Sequence, residues 1–515
     1  MRRHRLAFAA TLVALAGFTG SSSAAAPPRD IAVVTVGGQA SGPPIQPGFL
    51  GLSLENTAII PYAGDDPRRP DPVFLQLVRN LNPVQSPQLR IGGDSTDWAW
   101  YPVPGLSKPR GIRVTLTPRW LAVTHAVAAH LGARLIMGID LEADSLALAD
   151  GEATAFERRI GTPYMEALEL GNEPNLYGSF TWYVLPSGAH VKGRPPGYDF
   201  SSFLDDFSSF AKGLPGPLAG PTTGAPTWLP ETGQFLAAEP RVGVVTLHRY
   251  PVQTCFVPPS SPVYPTAANL LAPAATTGLA NSIAPYVPLA HARHLPLRID
   301  EMNTDSCGAA PGVANAYVSA LWALDALFEM ARVGVDGVNI HTYPGATYQL
   351  FAFTHGRRKW RASVMPEYYG LEMFAQAAPP GSRLVATTIT NAEGITVWAT
   401  RGREGQTRVV LINESLDRRT AAVGTGVAVG TGVAGGTSAA VGTSAAGGDG
   451  PATLERLRAP RLSSTSGVTL GGQGFGAETT TGRLAGRSRV AELKPSGRRY
   501  EFTLPAESAA LITLP

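Results

Sequence analysis

The chain has 515 residues, with 42 Lys and Arg against 39 Asp and Glu, and a formal net charge of +3. With 44% hydrophobic and 16% charged residues it is no disordered acidic chain, and its charge does not favour nucleic acid as a partner. Two cysteines exclude a disulfide scaffold, a zinc ribbon and a cysteine-ligated cluster.

Arg2, Arg3 and Arg5 precede the apolar run Leu6 to Phe18, and SSSAAAPP follows. Those are the parts of a secretory signal, here residues 1–25, cut near 24–26. No other run reaches the ~18 apolar residues of a membrane span. The expected product is extracellular and leaves the membrane after cleavage. The excess of arginine over lysine fits GC-rich, bacterial coding. DIAVVTVGGQ (30–39) is strand-like, and residues 26–47 are assigned to a strand that joins a C-terminal β domain.

Eight short apolar runs then follow, each turning polar at its C-terminal end: FLGLSLE (49–55), QLRIGG (88–93), ARLIMGIDL (133–141), MEALELGNEP (165–174), GPLAGPTT (216–223), VGVVTLHRYP (242–251), LPLRIDEMN (295–303) and GVDGVNIHTYP (334–344). Parallel strands buried on both faces read this way. Stretches 71–81, 118–132, 199–214 and 314–334 carry apolar residues at helical spacing. Together they predict a (β/α)₈ TIM barrel over 48–362, of fold class α/β. The alternative, a doubly wound sheet, lacks a glycine-rich strand–helix turn; GGQGFGA (471–477) fits the dinucleotide spacing only formally. From 363 to 515 short strands separated by turns predict an antiparallel, β-sandwich-like domain. Within it, residues 421–450 contain almost nothing but Ala, Gly, Val, Thr and Ser, and read as a flexible insertion.

Glu173, in GNEPN, and Glu301, in RIDEMN, end the fourth and seventh strands on the barrel face that carries active sites. Two carboxyls across a cleft can divide glycoside hydrolysis between a proton donor and a nucleophile, and a retaining pair stands roughly 5–5.5 Å apart. One of them needs a raised pKa from burial and its charged neighbour. Pro174 is expected to hold Glu173 in an extended conformation.

GLSLEN (51–56), RIGGDS (90–95), GNEPN (171–175), HRYP (248–251), DEMNT (300–304) and YYGLEMFAQA (368–377) together resemble glycoside hydrolase family 79, the bacterial β-glucuronidases and heparanases. The resemblance spans residues 50–377. It implies a retaining enzyme acting on β-glucuronide-bearing glycans or glycosides without cofactor or metal. By resemblance Glu173 is the acid/base and Glu301 the nucleophile, and Asn172 contacts the sugar 2-hydroxyl. Tyr343, with the Gly345 amide freed by its missing side chain, binds the glucuronate carboxylate.

Glu55 and Asp94 end strands one and two and are candidates to bind sugar hydroxyls. Tyr250 can donate to Glu301. His248 and His341 read as core or rim histidines, and Arg249 is expected to point away from the pocket by strand alternation. Trp98, Trp100 and Tyr101 form either a platform under the leaving group or a lid packed on the barrel. Cys255 and Cys307, a few residues beyond neighbouring strands, are expected to pair as a disulfide. The leading function is an exo-β-glucuronidase. An endo-acting, heparanase-like hydrolase of acidic polysaccharides and a non-catalytic carbohydrate-binding barrel remain as alternatives. No G-x-S-x-G elbow supports a serine hydrolase.

Overall fold

The structure, a computed structural model, describes residues 31–356, 359–426 and 450–515. The signal-like segment and the middle of the low-complexity stretch lie outside the described residues.

Eight parallel strands close into a barrel: Leu50–Glu55, Gln88–Gly92, Arg134–Ile139, Met165–Leu170, Leu218–Thr223, Val242–Arg249, Leu297–Met302 and Gly337–Thr342. The eighth pairs back onto the first, with Ile340 opposite Leu52. Most of these strands are buried along their whole length, which is why the sequence shows apolar runs instead of alternation.

Local chemistry sets the helix starts. Asp71 accepts from the Val73 amide at 2.7 Å, with Pro72 as first helical residue of Pro72–Leu81. Thr117 and Pro118 do the same for Pro118–Leu131, which ends on Gly132 in the left-handed region. Asp199 caps Phe200–Ala211 by accepting from Ser202 N at 2.9 Å. Val318–Arg332 is buried almost all round, so its sequence is apolar on nearly every face.

Two boundaries need correction. The helical layer of the barrel does not stop at 362, because Pro366–Ala377 is a further helix. Tyr368 donates to the Leu77 carbonyl at 2.8 Å, and Phe374 lies 4.9 Å from Phe328, which ties this helix to two barrel helices. It starts at Pro366 after the hairpin Phe351–Gly356 and Lys359–Val364. The low-complexity insertion does not begin at 421 either. Arg419–Thr425 is a strand lying between Ile31–Ser41 and Arg499–Leu504, and Ala421 and Val423 are fully buried. Small residues serve there because the inner face of the sheet is crowded.

Among the described residues ten strands make the second domain. One path runs Thr469–Leu470, Ala452–Arg458, Ser508–Leu514, Thr407–Asn413, Ile395–Arg401, Arg383–Thr390, Ile31–Ser41, Arg419–Thr425 and Arg499–Leu504, with Ala491–Leu493 added beside Ala452–Arg458. All neighbours are antiparallel except Ile31–Ser41 and Arg419–Thr425, which are parallel. Val34, Val423 and Phe502 from one end of that path share a core with Leu454 and Ile512 from the other, so the sheet folds over onto itself. Trp398 stacks on Phe328 at 5.5 Å and donates to Asp325 at 2.6 Å, which fixes this domain to the barrel. Among the described residues no helix is long and apolar enough to cross a membrane.

Candidate active site

Arg90, on the second barrel strand, is fully buried and organises the barrel mouth. Its Nε donates to Glu169 at 2.6 Å, one terminal nitrogen to Glu301 Oε2 at 2.5 Å, and the other to Asn172 Oδ1 at 2.7 Å. Asp300 lies 3.5 Å from its Nε. A charge this deep survives only with such a ring of acceptors.

Glu301 enters this ring through a distortion of the seventh strand. Leu247 pairs with Ile299 and His248 with Glu301, so Asp300 is the extra residue of a bulge. A bulge re-aims side chains, which explains how consecutive residues Asp300 and Glu301 both reach Arg90. Tyr250 Oη donates to Glu301 Oε1 at 2.8 Å, and His341 Nδ1 lies 3.8 Å from Oε2. Burial acts to raise the Glu301 pKa, but His341, His248, Arg90 and the Tyr250 hydrogen bond together hold it well below the ordinary carboxylate range.

Glu173 contacts His248, the residue that pairs with Glu301 in the strand register. The imidazole Nδ1 is 3.1 Å from Glu173 Oε1, and Nε2 is 3.1 Å from Thr222 Oγ1. Glu173 is not extended. Its φ of 47° and ψ of 56° put it in the left-handed region, corrected from the extended backbone inferred from Pro174. The Glu173 amide donates to the Thr222 carbonyl at 3.1 Å, a tertiary bond that a local proline rule does not contain. Such strain is held where the surroundings fix it, commonly at functional sites.

Asn172 is spanned at both ends. It accepts from Arg90, and its Nδ2 donates to Asp94 Oδ1 at 3.1 Å. Asp94 is open to the cleft. The negative fields of Glu55, Glu301 and Glu173 push its carboxyl above the ordinary value. Glu55 spends its carboxylate inside the protein, accepting from the amides of Asp94 at 3.2 Å and Ser95 at 2.8 Å. It therefore shapes the turn that carries Asp94. Gly93 makes this possible: its φ is +67°, and a Cβ there would meet Glu55 Oε1 at 2.3 Å.

On the eighth-strand side, the Tyr343 ring lies 5.3 Å from His341 and 6.0 Å from Tyr348. Tyr348 also approaches Tyr250 at 6.3 Å. The Gly345 amide is not left free: it donates to Gln349 Oε1 at 3.2 Å. Glycine is needed there for its φ of +89°, since nothing lies within 4 Å of a Cβ.

The cleft of about 660 Å³ beside Glu173 is lined by Asp94, Asn172, His248 and Tyr250 near the carboxyls, and by Trp98, Glu142 and Arg249 farther out. Arg249 is among the residues lining this cleft, and its guanidinium donates to the Gly224 carbonyl at 3.3 Å. Trp98 faces the cleft under Arg113, whereas Trp100 is packed with Ile112, Leu148 and Trp182, and Tyr101 packs on the barrel core. Cys255 and Cys307 are free thiols, which corrects the disulfide inferred from their spacing. The Cys255 sulfur lies 4.0 Å from the Cys307 backbone carbonyl, so the two loops meet through sulfur and backbone. Arg90 and Tyr348 are site residues the sequence reading did not single out, while His248 and His341, read there as core or rim histidines, lie against Glu173 and Glu301. The one available signal was a charged residue inside the apolar run QLRIGG, which demands buried counter-charges. Among the described residues no cluster of side chains could hold a metal ion.

A closed (β/α)₈ barrel with a second β domain is the architecture of the glycoside hydrolase structures that the chain resembles. No family model matches the chain. It is 23% identical over 457 residues to a β-glucuronidase of Neurospora crassa, covering 77% of each protein. Among solved structures it resembles a 4-O-α-L-rhamnosyl-β-D-glucuronidase from Fusarium oxysporum 12S, at 19% identity and TM-score 0.66, over 94% of this chain and 100% of that one. It also resembles a GH51 arabinofuranosidase from Xanthomonas axonopodis pv. citri, at 13% identity and TM-score 0.63, over 94% and 100%.

Proposed function

We propose that the protein is a retaining, family 79-like glycoside hydrolase that removes glucuronic acid from the ends of β-glucuronides. The observation that carries this reading is the unequal treatment of the two carboxyls. Glu301 is bound by Arg90 and Tyr250 and held as the anion a nucleophile must be. Glu173 contacts only a histidine and opens on the cleft, as a proton donor to a leaving group must.

In the proposed reaction Glu301 attacks the anomeric carbon while Glu173 protonates the departing oxygen. Glu173 then takes a proton from water as that water displaces Glu301, giving retention. Asn172, locked by Arg90, presents its amide to the 2-hydroxyl, and Asp94 accepts from or donates to a neighbouring hydroxyl. Tyr343 is proposed to donate to the glucuronate carboxylate, with the Gly345 amide joining if Gln349 releases it. The glucuronide preference rests on the similarity to the Neurospora and Fusarium enzymes. An extracellular location rests on the signal-like start of the sequence.

The test is a screen of aryl β-glucuronide, β-glucoside, β-galactoside and β-xyloside under one set of conditions. The reading expects the glucuronide to be turned over fastest. A faster neutral sugar would transfer the chemistry to another glycone, and no turnover of any would favour a binding protein.

A further inference from the structure

Phe180 and Phe256 are 44% and 80% exposed, and among the described residues no other Phe, Tyr or Trp is open to this degree. Single exposed apolar side chains are ordinary, but these two meet. Their ring centroids are 6.0 Å apart at an interplanar angle of 89°, although they come from different loops, after the fourth and sixth barrel strands. Both line the cleft that contains Glu173, together with the exposed Val263.

The position of Phe180 is tied to the acid. Leu176 N donates to the Glu173 carbonyl at 2.8 Å, and Phe180 N donates to the Leu176 carbonyl at 2.8 Å, so successive turns carry the ring from Glu173 to the cleft mouth. Phe256 stands on a backbone with φ of 64°, a conformation unfavourable for a bulky residue and one that leaves its ring in solvent. Besides Glu173, the same cleft is lined by the carboxyl-bearing residues Asp94 and Glu142.

We propose that Phe180 and Phe256 form the leaving-group subsite, and that it takes a planar aromatic aglycone, with polar ring substituents directed to Asp94 and Glu142. This rests on the glycosidase reading above, because a group beyond Glu173 is a leaving group only if Glu173 protonates it. An edge-to-face pair with both rings accessible can accept a third ring in the same manner, a geometry aromatic groups favour.

Two measurements on the wild type and on F180A/F256A test the proposal. The first is fluorescence titration with free 2-naphthol, which needs no turnover. The double variant is expected to weaken binding roughly tenfold while its melting temperature stays unchanged, because both side chains are exposed. The second is the ratio of kcat/KM for 2-naphthyl β-glucuronide to that for a β-glucuronyl disaccharide. That ratio is expected to fall by a similar factor. Equal naphthol affinity in the two proteins, or an unchanged ratio, overturns the aromatic subsite. A ratio that favours the disaccharide in the wild type assigns the rings to a sugar and overturns it equally. If the wild type cleaves no glucuronide, the functional reading fails by itself, and the naphthol titration still decides the subsite.

Discussion

Tyr250 donates its phenolic proton to Glu301 Oε1 at 2.8 Å while Arg90 holds Oε2 of the same carboxylate. The two partners fix the plane of the carboxylate as well as its charge. Tyr250 comes from the sixth strand's end and Glu301 from the bulged seventh, so neighbouring strands deliver the pair.

Tyr250→Phe removes one hydrogen bond to a charged acceptor, a loss of about 1.5–3 kcal/mol, or roughly 10–150-fold. In the proposed reaction kcat/KM falls by about that factor. The donor favours the ionised form, so its loss raises the Glu301 pKa, and the acid limb of the pH profile moves to higher pH. A rate loss with an unmoved acid limb would assign Tyr250 to substrate contact instead.

Arg90→Met leaves Glu169, Asp300 and Glu301 buried without their cation, at a cost of roughly 3–5 kcal/mol. The pH dependence has a definite sign. In the native protein burial acts to raise the Glu169 pKa, but Arg90 outweighs it and holds Glu169 below its ordinary 4.5. Its contribution is therefore present above that pH and is lost as pH falls through the lowered value. Without Arg90, burial is opposed only by Asp300 and His248, and Glu169 rises. The stability gap between variant and wild type is then largest near neutrality and shrinks toward pH 4. Urea unfolding at both pH values measures it, and a gap independent of pH contradicts the account.

Tyr343→Phe, assayed on paired aryl β-glucuronide and β-glucoside, is expected to lose roughly tenfold or more on the glucuronide alone. Equal loss on both substrates would mean that Tyr343 only packs on His341 and Tyr348.

Residues 427–449 have almost no charge and no apolar periodicity. Their replacement by a short Gly-Ser linker is expected to leave the melting temperature nearly unchanged. Starting the same deletion at 421 removes Ala421 to Thr425 from between two paired strands, and that protein is expected not to fold. Circular dichroism melting of the two deletions separates them.

The barrel was legible because its strands are buried on both faces and announce themselves as apolar runs. The carboxyls were legible because each closes such a run. Less was visible where tertiary contacts override local rules. Pro174 suggested an extended Glu173, but the Thr222 carbonyl draws its amide into a left-handed turn. Val423 looked like part of a featureless repeat, although its strand neighbours lie hundreds of residues away at Val34 and close to the end of the chain at Tyr500. Spacing brought the two cysteine loops together, yet both thiols are free.

The division of labour between Glu173 and Glu301 is tested most directly by Glu173→Ala with external azide. Without its acid, the enzyme should still form the Glu301 adduct from an activated aryl β-glucuronide but fail to hydrolyse it promptly. Azide needs no general base, so it should restore turnover and yield the β-glucuronyl azide, whereas Glu301→Gln should stay inactive with azide. An α-azide, or azide rescue confined to the Glu301 variant, would contradict the assignment.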